Sequence, residues 1–236
     1  MTYSIENNIN MIKFFEITYS VDEKIMGSES QINDFFDRSN FTKQVIDLYQ
    51  DNRKNTFIND QIINLHNFSL DKKSKKTDIL SSDYLKLDGF FISEKFKEVI
   101  ENAIAHRFRV LDTTLYKKGE KIDNYFFLNI INTDSIDYKK SSFRVDASPV
   151  KWRDGGKEIE INNEDDLFSK NWEVIMDDPT MKILPKKAIL KEYVDIIKLA
   201  NSNSIYFSEH LKQKIEEKKL TGVIFEETDI EFYLDL

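Results

Sequence analysis

Residues 90–101 of the chain read FFISEKFKEVIE, and residues 205–216 read IYFSEHLKQKIE. The two segments align without a gap at an offset of 115 residues, and five of their twelve positions are identical, including Ser93 and Ser208. Each segment begins with aromatic and β-branched residues, which favour a short strand. Each then continues with apolar residues at the spacing of an amphipathic helix. The chain therefore carries two copies of one strand–helix element.

The serine in each copy marks the start of a helix. Ser93 and Ser208 stand directly before the helical pattern, where a serine hydroxyl accepts a hydrogen bond from a free backbone N–H. A nucleophilic serine would need a base and an orienting group, and neither copy has the glycine-flanked turn that exposes such a serine. We therefore predict that both serines are N-caps. We also predict that Gly222, which follows a lysine-rich last turn, stops the second helix.

Strand-like runs follow both helices and complete two related strand–helix–strand units, over about residues 90–116 and 205–228. Between them, the turn sequences at residues 117–121 and 154–156 separate further strand-like runs and predict hairpins. The sequence therefore predicts an α+β fold, with a mainly antiparallel twisted sheet packed by a few helices.

Three other segments carry weaker patterns. Residues 12–20 predict the first strand because they mix β-branched and aromatic residues. The apolar spacing over residues 30–50 predicts helix. Pro179 and Pro185 predict a loop between them.

The composition is that of a globular protein, because 40% of the 236 residues are hydrophobic. The chain has no cysteine, which excludes disulfides and thiolate zinc sites. The N-terminus lacks the pattern of a signal peptide, and no stretch approaches the roughly 18 apolar residues of a membrane span. We expect a soluble, cytoplasmic protein with no membrane partner.

The charge balance argues against one class of partner and fits another. The chain has 42 acidic and 34 basic side chains, for a net charge of −8. A nucleic-acid binder needs a basic face to neutralise phosphates, so we expect no nucleic-acid partner. A basic protein partner fits, because opposite charges speed encounter.

Acidic residues cluster at the second predicted hairpin and in the predicted loop after it. We interpret this cluster as an exposed negative face that binds a basic partner, although acidic loops are often only solvated. Its members are Glu158, Glu160, Glu164, Asp165 and Asp166.

A metal or cofactor site is the alternative reading of the acidic residues. Hard cations bind carboxylates, and a metal-assisted hydrolase using an acidic pair such as Asp134 and Asp137 stays open. However, the three histidines lack metal-ligand spacing and no phosphate-binding glycine loop is present. We therefore expect no metal and no cofactor.

Three segments together resemble a bacterial polymorphic-toxin immunity family, the one catalogued as immunity family eleven and typified by a myxobacterial protein. They are residues 77–101, which end in the first strand and Ser-Glu helix, residues 117–142, and residues 195–226, which end in LTGVIFE. The order and spacing of these segments carry the resemblance. One departure is the Ile-Ile-Lys sequence at 196–198, where the family usually has Ile-Phe-Arg.

The resemblance implies a cytoplasmic immunity protein that binds one cognate toxin domain and neutralises it by stoichiometric occlusion. It implies no catalytic residues and no enzymatic activity. An adaptor unrelated to toxins is a further alternative, and the oligomeric state stays open.

The resemblance also suggests how the chain is organised. We expect a single domain over residues 1–236, with a family-like region at 77–228 and a variable N-terminal portion at 1–76.

Overall fold

The structure, a computed structural model, describes most of the chain. The described residues are 9–28, 30–35, 65–82, 89–105, 108–131, 135–147, 156–202 and 204–235. Most of the helix predicted over residues 30–50, and the first two residues of the turn at 154–156, lie outside them.

The described residues form more strand than helix. The helices are α1 (Glu23–Met26), α2 (Glu94–Ile100), α3 (Glu164–Asp177) and α4 (Glu209–Glu217). The strands are β1 (Ile9–Ile12), β2 (Phe14–Tyr19), β3 (Ile32–Phe35), β4 (Leu65–Leu70), β5 (Ile79–Leu80), β6 (Gly89–Ser93), β7 (Phe108–Lys117), β8 (Glu120–Ile122), β9 (Tyr125–Ile130), β10 (Ser142–Ala147), β11 (Lys157–Ile159), β12 (Met181–Leu190), β13 (Ile196–Lys198), β14 (Ile205–Ser208), β15 (Val223–Glu227) and β16 (Glu231–Asp235). The strands pair mostly antiparallel, which confirms the α+β prediction.

The chain forms two compact units, each built from separated segments. The first unit takes residues 1–16, 133–209 and 226–236, and the second takes residues 17–132 and 210–225. The single domain over residues 1–236 stays a prediction.

The first unit contains a five-stranded sheet in the order β1-β16-β12-β10-β11. Helix α3 packs against β12. The apolar side chains beneath the helix include Leu167 from α3 itself, Ile183 from β12 and Phe143 from β10, all at most 2% exposed. Their burial fixes which side of α3 faces the sheet.

The second unit contains a sheet in the order β3-β4-β7-β9-β6-β5, with β8 paired to β7. Its core contains Phe68, Phe91 and Phe127, which meet edge to face with ring centroids 4.9 and 5.1 Å apart. Such tilted aromatic pairs are favourable beyond their buried area.

The duplication in the sequence extends to strand order. The segment β5-β6-β9-β7 of the second unit has a counterpart in a four-stranded sheet ordered β13-β14-β2-β15. In each, the helix α2 or α4 connects the second strand of the row to the fourth. The predicted strand–helix–strand units are therefore confirmed, and each has two additional neighbouring strands.

Two weaker predictions are wrong for identifiable reasons. Residues Ile32–Phe35 form a strand, because they pair antiparallel with β4. Pro185 lies inside β12 beside an irregularity in the pairing with β10: Ser142 pairs with Lys187 and Phe143 with Pro185, so Lys186 of β12 is the extra residue. The ladder between β12 and β16 begins only at Lys187, so the missing N–H of Pro185 breaks no bond of that ladder.

Membrane-spanning character is not found in the described part of the chain, where no helix is both long enough and apolar enough to cross a bilayer.

Candidate protein-interaction surface

The five acidic residues that the sequence singled out lie at a strand–helix junction of the first unit. Glu158 is in β11 and Glu160 follows it. The other three were expected in a loop, but they form the first turn of α3. Negative charge there is favourable because it faces the positive end of the helix dipole.

Two side chains fix the start of α3. Asn163 is the N-cap, and its Oδ1 accepts from the backbone N–H of Asp166 at 2.8 Å. In return, Asp166 Oδ2 accepts from the backbone N–H of Asn162 at 2.8 Å. This reciprocal arrangement resembles a capping box shifted by one residue.

The Asp166 carboxylate therefore stabilises the start of α3. Lys170, one turn further on, lies 3.1 Å from Asp166 Oδ2 and also donates to the backbone carbonyl of Glu160 at 2.7 Å. The hydrogen bond from the Asn162 N–H, followed by the one from Lys170, lowers the pKa of Asp166 below its usual value. Of the five acids, Asp166 is the least suited to contact a partner.

Three of the five carboxylates are open to solvent. Glu158, Glu160 and Asp165 are exposed, whereas Glu164 is half-buried. Glu158 lies 3.7 Å from Lys186, but both side chains are largely exposed, so the pair contributes little to stability.

An open cleft of about 500 Å³ lies beside the start of α3. Residues 136–139, residues 162–165 and Lys191 line it. Asp137, from the alternative metal hypothesis, is one of the lining residues, and its Oδ1 accepts from the backbone N–H groups of Lys139 and Lys140. The cleft thus holds carboxylates and lysines together.

The metal hypothesis gains nothing from the described residues. Its second residue, Asp134, lies outside them. Among the residues that are described, no group of three or more histidine or acidic side chains is placed to hold a metal ion.

The outer face of α3 carries the feature that the sequence interpretation missed. Phe168, Trp172 and Met176 follow one another at intervals of four residues, so they lie on one face of the helix. They are 45%, 65% and 67% exposed. A different face of the helix is buried through Leu167 and the polar Asn171.

Asn171 orients the helix. Its Oδ1 accepts from the backbone N–H of Ile183 in β12 at 2.7 Å, and both groups are buried. This bond and the packing of Leu167 direct Phe168, Trp172 and Met176 away from the sheet. The spacing of these three apolar residues was readable in the sequence, but their exposure was not.

The predicted helix caps have different surroundings. Ser93 is the N-cap of α2, and its Oγ accepts from the Phe96 N–H at 3.2 Å. Ser208 directly precedes α4, and its hydroxyl donates to the buried carboxylate of Asp195.

Gly222 lies beyond the end of α4 rather than at it. The left-handed residue at the helix end is Lys219, with φ of 52°. The backbone N–H groups of Lys219 and Leu220 donate to the carbonyls of Glu216 and Ile215, which is the Schellman pattern. Gly222 instead packs closely against residues 77–79.

The fold and this surface define an α+β protein that displays an acidic and partly apolar helix face. A sequence model of the immunity protein family Imm11 matches residues 14–229, most of the chain, and the chain belongs to that family. The match begins well before residue 77, so it includes much of the portion that we had set apart as variable. A comparison with curated proteins gave no match. Membership implies a toxin-neutralising role, with a protein toxin as partner.

Proposed function

We propose that this protein is a cytoplasmic immunity protein that binds one cognate toxin domain and neutralises it by occlusion. The observation that carries the proposal is the family match over residues 14–229. The protein acts as a stoichiometric binder and not as an enzyme, so its effect depends on a surface rather than on a reactive group.

The acidic junction at the start of α3 is the proposed toxin-binding region. Glu158, Glu160 and Asp165 are exposed there, and the whole chain is negative at −8. A negative patch attracts a basic partner over distances of about a Debye length and raises the association rate. Glu164 and Asp166 belong to the same region, but the second mainly supports the helix that presents it.

Occlusion and enzymatic inactivation predict different titrations. A binder abolishes toxin activity only when its concentration equals that of the toxin, whereas an enzyme inactivates many toxin molecules per copy. The test uses the toxin domain encoded beside the gene for this chain, titrated with the protein while toxin activity is followed. We expect inhibition to be complete at a ratio of one to one.

Calorimetry with an inactivated form of the same toxin domain provides the second measurement. We expect one site per chain and tight binding. Inhibition at a small fraction of the toxin concentration would contradict occlusion. Absence of both binding and inhibition, with a folded toxin domain, would contradict the immunity role.

A further inference from the structure

We propose that Phe168, Trp172 and Met176 on the outer face of α3, here called the α3 stripe, are the anchor that holds the bound toxin domain. The inference rests on the proposed function and adds the contact surface to it. It also specifies the partner surface, which is an apolar pocket bordered by basic side chains.

The distribution of apolar residues around α3 is the first argument. The face toward the sheet buries Leu167 and the polar Asn171 and packs the smaller Val174 against the core, while the outer face exposes a phenylalanine, a tryptophan and a methionine. Amphipathic helices ordinarily place their larger apolar residues inward. An exposed stripe of this kind marks an interaction site, and Trp and Met are enriched in interfaces.

The charges around the α3 stripe identify the kind of partner. Helix α3 carries five acidic residues and one lysine, and Asp165, Glu173 and Asp177 are exposed beside the stripe. A basic protein surface complements this border. A second copy of the chain does not, because symmetric pairing through the stripe brings like charges together. Anionic lipid headgroups are repelled for the same reason.

The rigidity of α3 is the third argument. The cap at Asn163, the buried bond from Ile183 to Asn171 and the burial of Leu167 hold the helix on its sheet. A surface that is ordered before binding loses little further conformational entropy in the complex. The exposed side chains are therefore presented on a fixed support.

The stripe and the acidic junction then have separate kinetic roles. Exposed charges act mainly on the association rate, whereas buried apolar anchors act mainly on the dissociation rate. Loss of Trp172 should therefore accelerate dissociation and leave association nearly unchanged.

The experiment measures association and dissociation rates against the inactivated toxin domain encoded beside this gene. Trp172→Ala is expected to raise the dissociation rate by roughly 30-fold or more, the effect of removing an interface hot spot. Met176→Ser should give a smaller increase. Met11→Ala is the matched control, because Met11 is 69% exposed on β1 and lies outside α3. Thermal unfolding checks that each variant is folded.

The outcomes separate the inference from the function on which it rests. Wild-type binding with an unchanged dissociation rate for Trp172→Ala overturns the α3 stripe and leaves the immunity role intact. Absence of wild-type binding overturns both. Sedimentation of the free chain measures its oligomeric state. A wild-type dimer that is lost in Trp172→Ala would assign the stripe to self-association and overturn the toxin contact.

Discussion

Asp78 and Ser93 are joined twice, once through backbone and once through side chains. The Ser93 N–H donates to the Asp78 carbonyl at 2.9 Å, and the Ser93 hydroxyl donates to Asp78 Oδ1 at 2.6 Å. Asp195 and Ser208 repeat both bonds, at 2.9 and 2.5 Å. The duplicated element therefore begins at an aspartate, and each aspartate ties a short strand to the start of a helix.

The two aspartates should differ in their contribution to stability. Asp195 is 0% exposed and also accepts from the Tyr193 hydroxyl at 2.9 Å. Asp78 is partly exposed, and its further bonds from the Thr221 N–H and hydroxyl, at 2.7 and 2.9 Å, are open to solvent. Asp195→Ala leaves the buried Ser208 hydroxyl without its acceptor, at a cost of roughly 1–3 kcal/mol, and it also removes the acceptor of the part-buried Tyr193 hydroxyl. In Asp78→Ala, water can accept some of the hydrogen bonds that the carboxylate accepted, because the site is partly exposed. In urea unfolding, the Asp195→Ala variant should therefore have a lower free energy of unfolding than the Asp78→Ala variant. The reverse order would contradict this account.

The sequence predicted the repeated helices but not the aspartates that anchor them. The twelve-residue repeat has an offset of 115 residues, whereas Asp78-Ile79 and Asp195-Ile196 are 117 apart. The two-residue difference lies in the connection between the strands, and it breaks the ungapped alignment. The capped helices could be predicted because their signals are local in the sequence. The longer repeated element, which begins at the aspartate, can be recognised only from the pairing of the strands.

Only part of the candidate surface could be predicted from the sequence. The acidic residues were found because charge is visible in composition. The helix that carries three of them was not predicted, since its start depends on reciprocal bonds between Asn163 and Asp166 and their neighbours. The exposed face was hidden because helical spacing does not tell which face meets the sheet. On hydrophobicity alone, Trp172 would have been placed inside.

A comparison of two glycines should separate backbone conformation from packing. Gly119 and Gly222 have φ of 83° and 79°, where alanine is strained. A Cβ at Gly119 meets nothing within 4 Å, but one at Gly222 lies 2.6 Å from the Ile79 carbonyl oxygen. We expect Gly119→Ala to lower the free energy of unfolding by about 1–2 kcal/mol. Gly222→Ala should lower it clearly more. Chemical denaturation measures both, and equal costs would show that packing at Gly222 is unimportant.

The attachment of α3 depends on Asn171. Asn171→Ala removes the acceptor for the buried N–H of Ile183, at a cost of roughly 1–3 kcal/mol. Ser169→Ala is the control, because Ser169 is exposed on the same helix. Hydrogen exchange should show faster exchange at Ile183 and along α3 only in the Asn171 variant. Unchanged protection would mean that apolar packing alone fixes the helix.

The stability contributed by Asp166 should depend on pH with a definite sign. Its pKa in the folded protein lies below the ordinary value of 3.8 because the Asn162 N–H and Lys170 favour the carboxylate. The contribution is therefore complete above that value and is lost as the pH falls through the folded pKa. Wild type should exceed Asp166→Asn in stability at neutral pH, and the difference should shrink in acid. A difference that stays constant across the acid range would contradict a charge-based role.

Charge reversal should show whether the acidic junction guides the toxin. The triple variant Glu158→Lys, Glu160→Lys and Asp165→Lys should associate more slowly with the toxin domain, and its association rate should depend less on salt. The reason is that long-range attraction is lost while the α3 stripe remains. Asp166 is left unchanged, since its removal would disturb the helix. Glu226→Lys with Glu227→Lys and Asp229→Lys is the matched control, because it also reverses three charges and all three residues are exposed in a separate acidic segment of the same unit. Stopped-flow mixing with the inactivated toxin domain at several salt concentrations measures the effect. Equal slowing in both variants would indicate that net charge, and not this region, steers the encounter.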